Sequence, residues 1–312
     1  MKALVTGGAG FIGSHVALGA AAKGWQVVVL DDLSSGSPSN LTGAPSHLEM
    51  RVGSVCDPEA VCSAVEGCDV VFHLAAIASV QRSVEDPVGT GRVNVEGMVR
   101  VLEAATRAGS RVVFSSSSAV YGDADALPVS ESARPLPCSP YAVHKLCGEM
   151  YLQAFWSTGG LISRSLRYFN VYGPRQDPQS EYAAVIPKFV TRAIRGEPLV
   201  IFGDGGQTRD FVFVEDVARA NLLAAEQGSG ESFVLNIGSG VSLSVLDLAK
   251  KVIEIAESNS QIVFEPPRPG EVRDSRADTA LAHAQLGFDA STPLEEGLRR
   301  TLEYWRDRES CR

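Results

Sequence analysis

The chain has 312 residues, of which 45% are hydrophobic and 21% are charged, a composition typical of globular proteins that excludes disorder as the main state. Its 28 lysines and arginines against 37 acidic residues give a net charge of −9, which argues against a protein that tracks nucleic-acid phosphates. The length predicts about two domains.

Hydropathy and cysteine usage restrict the location of the protein. No apolar run approaches the ~18 residues of a membrane span, and the first ten residues become glycine-rich instead of continuing as a leader. We therefore expect a cytoplasmic protein with no membrane partner. No Cys-x-x-Cys pair or nearby histidine completes a metal-ligand set, so we expect free thiols and no metal. The six cysteines are Cys56, Cys62, Cys68, Cys138, Cys147 and Cys311.

The first half of the chain alternates apolar runs with stretches whose apolar residues recur at helical spacing. The apolar runs are Ala3–Val5, Val27–Leu30, Val70–Phe72 and Val112–Phe114, and the stretches between them are Phe11–Lys23, Pro58–Val65 and Asn94–Ala108. Such alternation predicts an α/β fold with a doubly wound parallel sheet. The strands are apolar throughout, as expected where helices cover both faces of a sheet.

Past Tyr168 the chain changes character, because glycine and proline clusters such as Gly203–Gly206 and Pro266–Gly270 separate shorter elements. Helical spacing recurs in three further stretches. These are Ala183–Arg195, Val214–Ala225 and Ser244–Glu257. We predict a first domain over residues 1–168 and a smaller, loop-rich α+β lobe over 169–312, with later segments such as 210–228 returning to the first domain.

Three glycines, Gly7, Gly10 and Gly13, lie directly after the first predicted strand and open the first predicted helix. This is the position of a dinucleotide-binding fingerprint. The first glycine permits a tight turn, the second lets the backbone approach a pyrophosphate, and the third lets the helix pack closely on the sheet. The sequence therefore predicts a Rossmann domain, with a purely structural turn as the alternative.

Asp31 ends the second predicted strand, 18 residues beyond Gly13. A carboxylate at this place accepts hydrogen bonds from the ribose hydroxyls of adenosine. A ribose 2′-phosphate would meet two carboxylates, Asp31 and Asp32, and no arginine follows through Ser39. Like-charge repulsion therefore favours NAD over NADP, and a solvated loop carboxylate is the alternative interpretation.

Tyr141 and Lys145 are four residues apart, so they share one face of a helix that Ser139 and Pro140 can open. We expect the ammonium to lower the pKa of the phenol and so make it a general base. The serine cluster Ser115–Ser118 follows an apolar strand, and the carboxyl ends of parallel strands are where such sheets bind ligands. The pattern predicts a catalytic site there, against the alternatives of a surface pair and a loop.

Four segments together resemble the motifs of the extended short-chain dehydrogenase/reductase family over nearly the whole chain. They are Thr6–Gly13, His73–Ala76, Phe114–Gly122 and Tyr141–Lys145. Within that family the sequence is most similar to NAD-dependent 4-epimerases of UDP-glucose and UDP-galactose and to relatives that accept N-acetylated UDP-sugars. The resemblance implies an isomerase that passes through a transient 4-keto sugar and regenerates NAD.

The resemblance also implies roles for individual residues. Tyr141 is expected to be the base, Lys145 to bind the nicotinamide ribose, and Ser117 to hydrogen-bond the sugar 4-hydroxyl. The positions expected to bind NAD are Gly7, Gly10, Phe11, Ile12, Gly13, Asp31, Ser54, Val55, Leu74, Ala75, Ala76, Asn94, Ser115, Tyr141 and Lys145. The chain departs from the family at Ser54, where a carboxylate usually contacts adenine and for which Asp57 is an alternative, and at Ala78, where a lysine often stands.

Residues 169–312 are implied to bind the nucleotide sugar. Asn170 matches a residue that contacts the diphosphate, Arg209 and Arg268 match phosphate-binding arginines, and Glu271 matches a ribose contact. Ser275 aligns with the position where a bulky tyrosine excludes N-acetylated sugars. A serine there predicts use of both plain and N-acetylated UDP-hexoses. With Ser117 and Tyr141, these residues make up the expected substrate site.

Other activities remain as alternatives. Family dehydratases carry Asp-Glu where this chain has Ser118 and Ala119, and decarboxylases of UDP-glucuronate usually carry Glu at the second position. Without a positioned acid, elimination lacks its proton donor. A net reductase, and a non-catalytic NAD-binding regulator on the same fold, are further alternatives. The family usually forms homodimers through two helices of each subunit, here expected near Val93–Ala108 and Tyr141–Trp156.

Overall fold

The computed structural model describes residues 1–124, 126–178, 185–227, 232–267 and 272–310. Its strands are β1 (Lys2–Thr6), β2 (Gln26–Asp31), β3 (Leu48–Val52), β4 (Val70–His73), β5 (Arg111–Ser117), β6 (Ser163–Tyr168), β7 (Asn170–Tyr172), β8 (Leu199–Phe202), β9 (Thr208–Phe213), β10 (Phe233–Ile237), β11 (Ser242–Ser244) and β12 (Ile262–Glu265). Its α-helices are α1 (Phe11–Ala22), α2 (Pro58–Val65), α3 (Val80–Glu85), α4 (Pro87–Gly91), α5 (Met98–Ala108), α6 (Pro140–Gly159), α7 (Val185–Ile194), α8 (Val214–Glu226), α9 (Val245–Ala256), α10 (Ala280–Leu286) and α11 (Leu294–Ser310).

Seven parallel strands form the central sheet, in the order β3-β2-β1-β4-β5-β6-β10. The order reverses between β1 and β4. In α/β sheets the crevice outside the carboxyl ends of the strands at such a reversal is where ligands bind. The glycine turn follows β1, and the segment after β4 lies beside it, so the topology brings both to this crevice.

Helices cover both faces of the central sheet. The helices α1 and α8 pack on one face, where their side chains join Val5 and Phe72 in one apolar cluster. The helices α2, α5 and α6 pack on the other face, around Leu4, Val71 and Phe114. Because both faces are buried, strands such as β1 carry apolar side chains at successive positions rather than at alternate ones. The predicted α/β fold with a doubly wound parallel sheet is confirmed.

Two smaller sheets accompany the central one. The strand β9 pairs in parallel with β7 and antiparallel with β11, and β8 pairs in parallel with β12. The helices α7, α9 and α11 enclose an apolar cluster with these strands, built around Tyr172, Phe189, Phe213 and Trp305. These elements form the smaller α+β lobe that the sequence predicts.

After residue 168 the chain returns to the central sheet. The strand β10 is its edge strand beside β6, and α8 packs against α1. The helix predicted over Ala183–Arg195 is observed from Val185, and residues 183 and 184 lie outside the described residues. The division of the chain into two domains at residue 168 stays a prediction.

In the described residues no helix is long and apolar enough to cross a membrane. In that same part of the chain, no group of three or more histidine, cysteine, aspartate or glutamate side chains is placed to hold a metal ion. Five cysteines are free, and the sixth, Cys311, lies outside the described residues.

Candidate functional site

Glycines shape the turn after β1. Gly7 has φ of 70°, in the left-handed region that favours glycine, and a Cβ there would lie 2.7 Å from the backbone nitrogen of Ala75. A Cβ at Gly13 would lie 2.1 Å from the carbonyl oxygen of Gly7. Gly10 stands at the N-cap position directly before α1 and has no side chain to cap it, so the N–H groups of the first turn are left for an anionic ligand. The turn therefore fits the pyrophosphate of a dinucleotide.

Asp31 is buried at the carboxyl end of β2 and is bonded to the glycine turn. Its Oδ2 accepts from the N–H of Ala9 over 2.9 Å, and its Oδ1 accepts from the N–H of Leu33 over 2.8 Å. The remaining lone pairs can accept from ribose hydroxyls, whereas a phosphate would be repelled. This carboxylate therefore suits NAD.

The residues expected at the adenine end follow β3. The carboxylate of Asp57 caps α2, accepting from the N–H groups of Glu59 and Ala60 over 2.9 and 3.3 Å. The hydroxyl of Ser54 accepts from the N–H of Cys56 over 3.2 Å. Val55, between them, is buried. Because Asp57 is committed to the helix cap, Ser54 is the better candidate for an adenine contact.

Two polar side chains fix the segment after β4. The hydroxyl of Thr6 lies 2.8 Å from Nδ1 of His73 and accepts from the N–H of Ala75 over 3.3 Å. Asn94 lies in a π-helical segment, Arg92–Gly97, between α4 and α5. Its side chain accepts from the N–H of Ile77 over 2.7 Å and donates to the carbonyl of Ile77 over 3.1 Å.

These contacts place Leu74 and Ala75 beside the glycine turn, and Ala76 follows them directly in the chain. Phe11 and Ile12, in the first turn of α1, pack partly against the apolar cluster of the smaller lobe. Asn94, expected to bind the cofactor, acts here on the backbone of the segment after β4. It therefore shapes the wall of the crevice.

Ser117, Tyr141 and Lys145 come together at the carboxyl end of β5. The side chain of Ser117 lies near enough to the Tyr141 phenol to lower its pKa. The ammonium of Lys145 is buried, donates to the carbonyl of Ser115 over 2.6 Å, and lies 5.8 Å from the centroid of the Tyr141 ring. Ser139 caps α6 by accepting from the N–H of Ala142 over 3.2 Å, as the sequence predicts. The structure brings the three side chains together, and their catalytic roles stay proposals.

Burial is the largest influence on the pKa values of Tyr141 and Lys145. Burial raises the pKa of Tyr141, and the neighbouring side chain of Ser117 opposes this shift. It lowers the pKa of Lys145 to about 8, and the Glu149 carboxylate opposes that shift. The expectation that Lys145 brings the pKa of Tyr141 below its usual value is wrong for the protein alone. Lys145 donates to the Ser115 carbonyl rather than to the phenol, and the cost of desolvating a phenolate dominates.

Sequence reasoning missed a buried ion pair behind the serine cluster. Glu149 on α6 and Arg167 on β6 each expose 6% of their side chains, and Arg167 Nη2 lies 2.6 Å from Glu149 Oε2. Ser116 donates to Glu149 Oε1 over 2.5 Å. Glu149 follows Lys145 by four residues, so helical spacing could have found it. No sequence signal points to Arg167.

Asn170 and Arg209 lie on neighbouring strands of the three-stranded sheet. Asn170 opens β7 and donates from Nδ2 to the carbonyl of Asp210 over 3.3 Å. Arg209, on β9, donates from Nη1 to the carbonyls of Thr208 and Arg273 over 2.8 and 3.0 Å. The structure therefore brings these two predicted substrate residues close together.

Ser275 is half-buried, and hydrogen bonds of residues before and after it in sequence hold its segment in place. Asp274 accepts from the hydroxyl of Thr208 over 2.7 Å, and Asp210 accepts from the N–H of Ala277 over 2.9 Å. Asp210, buried and missed by the sequence analysis, thus joins the strand of Arg209 to the segment of Ser275. Arg268 and Glu271 lie outside the described residues.

Residues 3–238 match the family described as the NAD-dependent epimerase/dehydratase family. A UDP-glucose 4-epimerase of Mycolicibacterium smegmatis is 41% identical over 314 residues, covering 99% of this chain and 99% of that protein. A UDP-N-acetyl-alpha-D-glucosaminuronate decarboxylase of Bacillus cytotoxicus is 33% identical over 322 residues, covering 99% of each chain.

Two solved structures share the whole fold. A UDP-glucose 4-epimerase of Thermotoga maritima, solved with UDP-glucose, is 42% identical, has a TM-score of 0.94 and covers 99% of this chain and 100% of its own. A UDP-N-acetylglucosamine 4-epimerase of Methanobrevibacter ruminantium, solved with UDP-N-acetylmuramic acid, is 38% identical, has a TM-score of 0.94 and covers 98% of each chain.

Proposed function

This chain belongs to the NAD-dependent epimerase/dehydratase family, and we propose that it is an enzyme that interconverts UDP-hexoses epimeric at C4 of the sugar. Its substrates are UDP-glucose and UDP-galactose together with their N-acetylated forms. The observation that carries the proposal is the meeting of Ser117, Tyr141 and Lys145 at the carboxyl end of β5, where the ammonium of Lys145 lies 5.8 Å from the centroid of the Tyr141 ring. The relatives with 4-epimerase names support the same activity.

The residues around the glycine turn fit NAD. The N–H groups of the first turn of α1 would hold the pyrophosphate, Asp31 the adenosine ribose and Lys145 the nicotinamide ribose. When bound, NAD supplies the acceptor for the hydride that leaves the sugar C4. Lys145 is buried, so its ammonium meets little competition from water for such a contact.

Ser117 and Tyr141 would move the proton of the sugar 4-hydroxyl. A serine hydroxyl has one donor and two acceptor sites, and Ser117 uses one acceptor site on the N–H of Ala119 over 3.2 Å. The other sites remain for the phenol and the sugar. Before this step the Tyr141 phenol has to lose its proton to solvent. The phenolate would then accept the hydroxyl proton as hydride leaves C4, and a 4-keto sugar would form. Once the sugar has turned over, hydride would return to the opposite face of C4 and the proton to the 4-keto oxygen, which inverts C4.

The smaller lobe would hold the nucleotide sugar. Asn170 and Arg209, close together on β7 and β9, suit a diphosphate, because an arginine fork and an amide N–H₂ both donate to phosphate oxygens. Arg268 and Glu271 are assigned phosphate and ribose contacts on the family resemblance. Ser275, half-buried in its anchored segment, would leave room for an acetamido group.

Dehydration and decarboxylation are less favoured. The 3-10 turn Ser118–Tyr121 follows Ser117 directly and places no acidic side chain there to protonate a leaving hydroxyl. In the described residues, no specific observation favours a net reductase or a non-catalytic regulator.

The activity can be tested by incubating the purified protein separately with UDP-galactose and with UDP-N-acetylgalactosamine. Chromatography then separates the two epimers of each sugar nucleotide. Both sugars should be converted. Ser275→Tyr should slow conversion of the N-acetylated sugar at least ~10-fold and spare UDP-galactose, because the ring fills the acetamido space. Ser291→Ala, a distant serine substitution, is the control. Equal effects of Ser275→Tyr on both sugars would contradict the assignment of Ser275.

A homodimer and a cytoplasmic location complete the proposal. Val143, Cys147, Met150 and Ala154 follow one another at helical spacing along an outward face of α6, and Met150 is 66% exposed. An exposed apolar stripe of this kind suits packing against the same helix of a second copy. The five free cysteines in the described residues suit a reducing compartment.

A further inference from the structure

The carboxylate of Glu149 joins α6 to both strands that flank the site. Its Oε1 accepts from the hydroxyl of Ser116 over 2.5 Å and from Nε of Arg167 over 2.9 Å, and its Oε2 accepts from Nη2 of Arg167 over 2.6 Å. Acidic side chains are almost never fully buried unless they are paired. Three hydrogen bonds to one carboxylate thus fix α6 relative to β5 and β6.

The bond from Ser116 reaches the centre of the serine cluster. The carbonyl of its neighbour Ser115 accepts from Lys145 over 2.6 Å, and the side chain of its other neighbour, Ser117, lies beside the Tyr141 phenol. A shift of Ser116 would therefore move the partners of both functional side chains of α6. Because Glu149 stands two turns after Tyr141 on that same helix, it sets the distance between the helix and the strand end.

Few groups near Lys145 carry charge at neutral pH. Burial raises the pKa of the neighbouring phenol and lowers the pKa values of two neighbouring imidazoles, so all three side chains are neutral. They are Tyr141 and His144 on α6 and His73 on β4. From β5, Phe114 and Ser115 face Lys145 without charge. The charged neighbours in the described residues are therefore Glu149 on α6 and, behind it, Arg167 on β6.

We propose that Glu149 is a positioning residue for the reaction, because its buried carboxylate, bonded to Ser116 and Arg167, holds Ser115 and Ser117 in place beside Lys145 and Tyr141. The same carboxylate opposes the lowering of the Lys145 pKa, and Arg167 moderates this effect, since its guanidinium neutralises part of the field of the carboxylate. The proposal rests on the assignment of Lys145 to the nicotinamide ribose. It does not depend on which sugar the enzyme uses.

The test measures the dissociation constant of NADH, through its fluorescence, as a function of pH and without sugar. Wild-type affinity should weaken as the pH rises through about 8, where Lys145 loses its proton. Glu149→Gln keeps the shape but removes the anion and exposes Lys145 to Arg167. The midpoint should then fall by about one pH unit, a tenfold change in the ratio of charged to neutral Lys145. The double variant Glu149→Gln, Arg167→Met should have a midpoint between the two.

The outcomes distinguish an effect of the negative charge of Glu149 on Lys145 from a purely structural effect of the Glu149 side chain. A Glu149→Gln variant that binds NADH more weakly by the same factor at every pH would overturn the proposal, and so would a double variant with the midpoint of the single variant. If Glu149→Gln alone does not fold, the double variant decides, since its midpoint must lie below that of the wild type. Glu103→Gln, in an exposed pair on α5, is the control and should leave the midpoint unchanged.

The same preparations distinguish this proposal from the proposed function. Wild-type protein that binds NADH but converts no UDP-hexose would contradict the epimerase assignment. The pH dependence of NADH binding would still test Glu149, because no sugar takes part in that measurement.

Discussion

Gly13 shows how a single missing side chain positions the cofactor site. A Cβ at this position would lie 2.1 Å from the carbonyl oxygen of Gly7 and 2.9 Å from Cα of Gly8. Both obstacles are backbone, so neither can rotate away as a side chain would. The close contact between α1 and the glycine turn therefore depends on glycine itself, as the spacing of the three glycines predicts.

We expect Gly13→Ala to weaken NADH binding at least ~10-fold and to lower the free energy of unfolding by about 1–3 kcal/mol, because the added methyl group overpacks backbone. Gly19→Ala, in the same helix, is the matched control. Its Cβ would lie 3.1 Å from Cδ1 of Leu222, the movable end of a side chain, so both properties should stay near wild type. NADH titration and thermal unfolding check both variants, and indistinguishable results would contradict this account of Gly13.

Only those features of the site that depend on local spacing can be predicted from the sequence. The pair of Tyr141 and Lys145 depends on one helical turn, and the prediction that they share a helix face is met. The bond of Lys145 to Ser115 and the ion pair of Glu149 with Arg167 join residues 30 and 18 positions apart. Such contacts arise only when the sheet and α6 pack together, so no local pattern contains them. The pKa of Lys145 follows from that same burial.

At the scale of elements, periodicity predicts helices well where apolar residues face the core. The predicted Pro58–Val65 and Val214–Ala225 correspond to α2 and α8 within one residue. The strand β3 was missed, because its residues Glu49 and Arg51 interrupt the apolar run expected of a buried strand. It is one of the two edge strands of the central sheet, where fewer neighbours require apolar side chains.

The C-terminal helix α11 was also missed, although its sequence carries a usable signal. Leu298, Leu302 and Trp305 recur at helical spacing, and all three are buried in the apolar cluster of the smaller lobe. The charged residues between them obscure the pattern, because they cover the opposite face of the helix.

The helix α6 presents its functional residues inward and an apolar stripe outward, which leads to a prediction about assembly. Met150→Glu should convert the expected homodimer to monomer, because a carboxylate buried between two copies has no partner. Val241→Glu is the control and should remain dimeric, because Val241 is an apolar side chain about as exposed as Met150, at 69%, and lies outside both helices expected at the interface. Light scattering after size-exclusion chromatography measures the mass. A wild-type monomer, or a dimeric Met150→Glu variant, would contradict the predicted interface.

At the scale of the whole molecule, alternation of strands and helices predicts the parallel sheet, but strand order requires the structure. Nothing local in Phe233–Ile237 indicates that this strand joins β6 at the edge of the central sheet. Since β10 lies in the central sheet, the chain crosses between that sheet and the smaller lobe more than once. The glycine turn, the end of β5 and the strands β7 and β9 all contribute to the proposed reaction.

In the proposed reaction, hydride leaves the sugar C4 and returns to the same carbon. The most direct measurement follows UDP-galactose carrying deuterium at C4 of the sugar, with mass spectrometry and NMR of the products. The proposed mechanism predicts UDP-glucose that retains deuterium at C4, with no net formation of NADH. Loss of the deuterium to solvent, or its appearance at another carbon of a dehydrated sugar, would contradict this mechanism.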